Sequence, residues 1–364
     1  MRPLLFLLMT LQASAAGQLI FIGTYTRTTS RGIYAVRLDP ATGALSTPIL
    51  AATTPNPSFL AFAPDQKTLY AVSESDEMAA AFATDLAQGT LRPLQSPQAS
   101  GGSAPCHLVV DATQRSLLVA NYHTGIVAAI PLRPDGTLGP PNVVPHVGHS
   151  VDAARQTSPH VHSVTLSPDN RFVLVCDLGL DRIFTYRLDA ARARLTPGHP
   201  PFVVTPPGTG PRHFVFGADG RHAYAITEMG STLIAYDYAP DSGALTPRQS
   251  VSTLPPDFKG ASTGAEIRLH PSGRFLYASN RGHDSIAVFE VDPANGALTP
   301  VEVTPCGGKN PRNFSLSPDG AWLVCANQNS NSLAVFRADA RTGRLTPTGH
   351  TADVPLPVCV LFAR

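Results

Sequence analysis

The chain has 364 residues, with 27 Lys and Arg against 26 Asp and Glu, so its formal net charge is +1. That balance, with no basic stripe and no interleaving of basic and aromatic residues, argues against nucleic acid as the main partner. The length is enough to bury a large core, and 35 Pro with 29 Gly point to many short strands and turns.

The chain opens MRPLLFLLMTLQASAAG. Arg2 is a positive n-region, Leu4 to Leu11 an apolar h-region, and Ala13, Ser14, Ala15 and Ala16 the small residues of a cleavage site. Residues 1–16 read as a signal peptide and 17–364 as one folded domain, which places the mature protein in the periplasm or outside the cell. The apolar run is too short to remain as a membrane helix, and no later segment is apolar enough to be one. Export favours disulfides, but the five cysteines are an odd number and include no CxxC pair. Cys176, Cys325 and Cys359 lie in apolar strand-like runs, while Cys106 and Cys306 fall in connecting loops.

From residue 18 onward a unit of about fifty residues repeats. Its marker is GALS (43–46), GTLR (89–92), GTLG (136–139), ARLT (193–196), GALT (243–246), GALT (296–299) and GRLT (343–346). The seven leucines, Leu45, Leu91, Leu138, Leu195, Leu245, Leu298 and Leu345, are spaced 46, 47, 57, 50, 53 and 47 residues apart. Each unit begins with a short alternating strand (A), such as RHFVFGADG, and turns through an Asp-Gly-like hairpin. A second strand (B) follows, such as HAYAITEM, then a third (C), such as LIAYDYA. The GALT segment opens the fourth (D). Seven such units predict an all-β, seven-bladed β-propeller with four antiparallel strands per blade. The N-terminal QLIFIGTYT has no A strand before it, and the C-terminal PVCVLFAR has no B strand after it. The last strand is therefore expected to join the first blade and close the ring, leaving no open edge.

In such a blade the start of A and the end of B share one end, and A is innermost. Residues at those points should ring one mouth of the central channel, where functional groups gather. Starts of A supply His107, His160, His162, Arg212, His213, Glu266, Arg268, Arg312 and Asn313. Ends of B supply Thr24, Tyr25, Glu74, Asn121, Tyr122, Asp177, Glu228, Asn280, Arg281, Asn327 and Gln328. Arg, His and Glu are unfavourable to bury unless paired, so this cluster points to an anionic ligand and to acid–base chemistry.

The segments GTGPRHFVF (208–216), AITEMGS (225–231), STGAEIRLHPSGRFLYASNRG (262–282) and NPRNFSLSPDG (310–320), followed by VCANQNSNSLAVF, resemble the seven-bladed propeller lactonase family. That family includes propeller-type 6-phosphogluconolactonases and carboxy-muconate lactonizing enzymes. The loop HVGHSVDAARQTSPHVHSV (146–164) resembles the family's long blade insertion and accounts for the 57-residue gap. The resemblance covers essentially the whole mature chain. It implies a catalytic set of His162, Arg212, Glu228 and Arg268. His107, His160, His213, Asn280, Arg281, Arg312, Asn327 and Gln328 are expected to bind substrate.

The function expected is hydrolysis of a sugar-acid lactone carrying an anionic group, with Glu228 or His162 as the base and Arg212 and Arg268 as an anion clamp or oxyanion partners. The same four residues would serve a cycloisomerase that opens or closes a lactone by proton transfer. A non-catalytic binding propeller is the third reading. Glu228, Asn280 and Asn327 could mimic a Ca²⁺ shell, and the histidines of 146–162 invite a zinc site. The chain does not resemble calcium lactonases, and the histidine spacing fits no zinc template, so neither metal nor cofactor is expected.

Mature protein from the native host should begin near Ala16 or Gly17. Mass spectrometry of its N-terminal peptide checks this, and a peptide that retains Arg2 refutes the signal peptide.

Overall fold

The computed structural model describes residues 17–364; the expected signal peptide, 1–16, lies outside the described residues. Seven antiparallel sheets form the blades. Blade 1 consists of Pro357–Phe362 (A), Gln18–Thr24 (B), Gly32–Leu38 (C) and Ile49–Thr53 (D). Strands A to D then follow in chain order. Blade 2 starts at Leu60–Phe62, blade 3 at Pro105–Val110, blade 4 at Val161–Leu166, blade 5 at Pro211–Phe216, blade 6 at Thr263–Leu269 and blade 7 at Pro311–Leu316. Strand D of blade 2 is broken into Thr90–Pro93 and Gln98–Ala99, interrupted around Pro97.

The C-terminal strand closes the ring. Pro357–Phe362 pairs with Gln18–Thr24 in the register Ile20–Phe362 to Gly23–Cys359. It also packs against the A strands of blades 7 and 2, so the seven inner strands form an unbroken circle. No helix among the described residues is long and apolar enough to cross a membrane.

The core is a series of seams between blades. Phe275 and Tyr277 of blade 6, for example, pack with Phe314 and Phe336 of blade 7, all essentially buried. The GALT marker locks these seams. Its leucine is buried in six of the seven blades, and its glycine lies on the first residues of strand B in the preceding blade. A Cβ on Gly43 would stand 2.5 Å from the Trp322 ring, one on Gly243 2.7 Å from Phe172, and one on Gly343 2.4 Å from Phe275. A tyrosine in strand B then bonds to the same turn, Tyr277 Oη donating to Gly343 O at 2.9 Å and Tyr224 Oη to Gly296 O at 3.0 Å. The repeat most visible in the sequence is thus a blade-to-blade contact. Blade 4 alone lacks the glycine, and Ala193 adopts the left-handed conformation there at φ 47°.

All five cysteines are free and buried. Cys106 lies within strand A of blade 3, not in a loop as its neighbours suggested, and Cys306 lies just past strand D of blade 6.

Replacing Gly343 by Ala adds a methyl group to a residue at φ +72° that already touches Phe275. It should cost about 2–4 kcal/mol from backbone strain and overpacking together. Ala193→Gly should change stability by less than about 1 kcal/mol. Urea unfolding of the two variants measures both, and a Gly343→Ala protein as stable as the parent would sink the seam argument.

Candidate active site

The inner strands can be aligned by their A–B turns, closed by the backbone N–H of residues 63, 111, 167, 217, 270, 317 and 363. Five residues before those turns stand Ser58, Cys106, His162, Arg212, Ala265, Arg312 and Val358, which form the upper layer of the channel. Four residues before them stand Phe59, His107, Ser163, His213, Glu266, Asn313 and Cys359. In blades 4, 5 and 7 the A–B register shifts at this point, as between Pro211 and His213, which lets neighbouring residues both serve the channel. Arg268 lies two residues further along strand A than Glu266, opposite Tyr277 of strand B.

The ends of strand B divide in two. Their last fully buried polar residues are structural clamps. Asn280 Oδ1 accepts from Thr253 Oγ1 at 2.5 Å while its Nδ2 donates to Thr253 O at 2.8 Å, and Asn327 Nδ2 donates to Cys306 O at 3.1 Å. Both residues were expected to bind substrate; their amides are fully buried and bonded within the protein. The next residue in each blade, as in Tyr25, Glu74, Tyr122, Glu228, Arg281 and Gln328, follows the clamp at the mouth. Gln328 stays at the rim, accepting from Asn310 Nδ2 at 3.2 Å.

Glu228 is the centre of the mouth. Its Oε2 lies 3.0 Å from Arg212 Nε, 3.0 Å from Arg281 Nη2 and 3.8 Å from His162 Nε2. Its Oε1 accepts from Arg155 Nη2 at 2.8 Å. Burial would raise the Glu228 pKa, but Arg281 and Arg212, aided by His162 and Arg155, hold it well below the usual carboxylate range. Burial lowers Arg281 to about 10, still protonated at neutral pH.

Among the described residues, Arg212 is the largest fully buried side chain. Besides Glu228, it donates from Nη1 to Ala265 O at 2.7 Å and to His213 Nε2 at 3.1 Å. Since a guanidinium only donates, His213 Nε2 must accept, and its Nδ1–H donates to Glu266 Oε1 at 3.1 Å. Glu266 also accepts from Ile267 N at 3.0 Å and from Asn313 Nδ2. Beneath the upper layer, His107 stacks on Phe59 at 4.0 Å and meets His213 edge-on at 5.2 Å. Together these groups floor the chamber.

Of the four residues expected to converge, His162, Arg212 and Glu228 do so, and Arg268 does not. Arg268 reaches only Glu266 Oε2, at 3.5 Å, from behind the floor. The second guanidinium on Glu228 is Arg281. His107 and His213 belong to the floor. His160 stacks on Tyr122 at 4.5 Å and donates from Nδ1 to Tyr122 O at 3.0 Å, a rim position. Arg312 lies over the Tyr25 ring at 5.4 Å and makes no hydrogen bond or ion pair with a described residue.

Two participants escaped the sequence. Arg155 sits on the insertion, whose base is pinned by His146 to Asp177 (2.6 Å) and by Gln156 Nε2 donating to Leu178 O (2.8 Å). From there it spans to Glu228 and donates to Tyr122 Oη at 3.2 Å. Cys106 lies 4.0 Å from His162 Nδ1. Burial pushes its thiol far up, so it is no thiolate nucleophile. Burial, then Arg212 and His213, hold His162 well below the ordinary imidazole pKa, so the ring is neutral at pH 7.

The sequence of residues 19–362 matches the family described as lactonase, 7-bladed β-propeller. A 6-phosphogluconolactonase of Bacillus subtilis is 39% identical over 345 residues, 94% of this chain and 97% of that protein. Among solved structures, a periplasmic gluconolactonase of Pseudomonas aeruginosa superposes with a TM-score of 0.91 at 37% identity, covering 95% of this chain and 99% of that one. A putative 6-phosphogluconolactonase of Bacteroides fragilis does so with a TM-score of 0.90 at 36% identity, covering 97% and 99%. With the fold, the closed ring and these relatives in agreement, the chain belongs to the seven-bladed β-propeller lactonase family.

Proposed function

We propose that the chain hydrolyses a sugar-acid lactone in the Glu228 chamber, with His162 as the general base. The observation that carries this reading is the carboxylate of Glu228 held between Arg212 and Arg281 beside a neutral imidazole. Both Glu228 oxygens are occupied by guanidiniums, and a carboxylate so compensated is a weak base. His162, held neutral, has one ring nitrogen able to accept a proton.

In this reading water attacks the lactone carbonyl carbon as His162 takes its proton. The oxyanion that forms faces Arg212 and Arg281. Arg212 Nη2 and Arg281 Nη1 have no partner among the described residues, so donors remain for it. Collapse breaks the ring C–O bond, the imidazolium returns its proton to the leaving alkoxide, and a hydroxy acid results. Glu228 orients the two guanidiniums and prevents their mutual repulsion. Export to the periplasm or beyond, as the N-terminal segment suggests, is part of the same proposal; the relative from Pseudomonas aeruginosa is described as periplasmic.

Titrating acid release from glucono-δ-lactone and its 6-phosphate tests this. The acid limb of kcat/KM should lie below pH 6.5, because His162 is depressed and acts only when neutral. His162→Gln should lower kcat by about 10²–10⁴-fold and abolish the limb. Glu228→Gln should lower kcat about 10²–10³-fold and move the limb to still lower pH, since the Glu228 charge supports the proton on His162. A limb unchanged in His162→Gln would remove the imidazole from the base role.

A further inference from the structure

The charges of the mouth do not balance. Arg27, Arg155, Arg212, Arg281 and Arg312 face only Glu74 and Glu228, which leaves an excess of three positive charges. The excess is not evenly spread. On the wall formed by blades 4 to 6, Glu228 binds three guanidiniums directly. On the wall formed by blades 7, 1 and 2, Arg312 has no ionic partner within 4.0 Å and no hydrogen bond to a described residue. Glu74, the carboxylate of that wall, is taken by Tyr25 Oη at 2.9 Å and approached by Arg27 at 3.8 Å. Tyr25 supplies Arg312 with the face of a ring, which supports a cation but satisfies none of its five N–H donors.

A second orphan stands in the same layer. Ser58 occupies the position in blade 2 that Arg312 occupies in blade 7 and Arg212 in blade 5. Its side chain is 4% exposed, and its Oγ has no hydrogen-bond partner. A buried hydroxyl without a partner is unfavourable, and although the more distant charges of Glu74 and Glu228 support the cation on Arg312, they leave its N–H donors unfilled. Both stand in the upper layer, above the floor. An anionic group that accepts from Arg312, and toward which the Ser58 hydroxyl turns, satisfies both.

Resting on the lactonase reading, we propose that Arg312, assisted by Ser58, is the specificity-determining residue. It binds an anionic substituent at the end of the substrate remote from the lactone carbonyl, a phosphate monoester or a second carboxylate. The carbonyl end lies with His162, Arg212 and Arg281 across the channel, so one ligand engages both walls. The fork of Arg312 suits either anion bidentately. A neutral sugar lactone leaves Arg312 and Ser58 as they are and binds less tightly.

Calorimetric titration of the full chain with gluconate, 6-phosphogluconate and glucarate at one ionic strength tests the site without requiring turnover. The wild type should bind 6-phosphogluconate, glucarate or both about 10- to 100-fold more tightly than gluconate, and the preferred one identifies the anion. Arg312→Gln should reduce that preference to about threefold or less. Ser58→Ala should reduce it about 3- to 10-fold. Arg274→Gln, an equal change of net charge at an exposed position, should leave it intact. Ser58→Ala, together with Arg312→Lys, which keeps the charge but loses the fork, decides the matter if Arg312→Gln does not fold. No preference in the wild type, or a preference that survives in the Arg312 and Ser58 variants, overturns the proposal. A preference that depends on Arg312 in a protein that hydrolyses no lactone upholds the anion site and overturns the lactonase reading instead.

Discussion

Everything at the mouth depends on one carboxylate holding two buried guanidiniums together. Arg212 Nε and Arg281 Nη2 each lie 3.0 Å from Glu228 Oε2, so they stand no more than 6.0 Å apart. At that separation two like charges repel by roughly 3 kcal/mol at an effective dielectric constant of about 20. The shared oxygen turns this repulsion into attraction and fixes both planes. The pattern continues downward through His213 to Glu266 and Arg268. Arginine, carboxylate, arginine, imidazole, carboxylate and arginine then run from Arg155 at the rim to the far side of the floor. Each member is oriented by its neighbours, so the site is preorganised by charge order as much as by packing.

Such order requires a backbone that does not yield. The marker glycines and the B-strand aromatics clamp each blade to the one before it, and the C-terminal strand converts an open stack into a ring. The inner strands then present residues from different blades at equal heights, which is why side chains as distant in sequence as His213 and Glu266 can meet. The register shift in strand A of blade 5 brings Arg212 and His213 to the channel as adjacent residues, one holding Glu228 and the other receiving the floor. A regular strand would have turned one of them away.

The fold was legible because its signal repeats seven times, and each copy corrects the reading of the others. The site was legible only as far as strand topology reaches. Topology placed His162, Arg212 and Glu228 at one mouth. It could not separate Asn280 from Arg281, adjacent residues at one strand end, because alternation sends the first into the blade and the second into the channel. Arg268 was set too high for a related reason. Its depth depends on counting back from the A–B turn, and two residues along a strand carry a side chain to the other side of the floor. Arg155 was beyond reach. It belongs to an irregular loop whose path is set by buried anchors at His146 and Gln156, and nothing periodic marks its tip.

The floor also links the site to stability. Burial holds His107, His162 and His213 well below the ordinary imidazole pKa, with neighbouring cations or imidazoles adding to the effect. They are neutral in the fold but protonate in the unfolded chain once the pH drops below about 6.5. The unfolded state then binds more protons than the native state, so the stability they contribute is present above that pH and is lost as the pH falls. Each imidazole contributes a slope of up to about 1.4 kcal/mol per pH unit. Glu228 acts in the same direction, but only below the ordinary carboxylate range, so from pH 6.5 to 5 the histidines set the trend. The thermal midpoint should therefore fall from pH 7.5 to pH 5, and less steeply in His107→Gln, which removes one floor imidazole without touching Glu228. A midpoint that stays level over that range would mean that the floor admits protons in the folded state. The neutral His162 on which the proposed chemistry depends would then have to be reassigned as well.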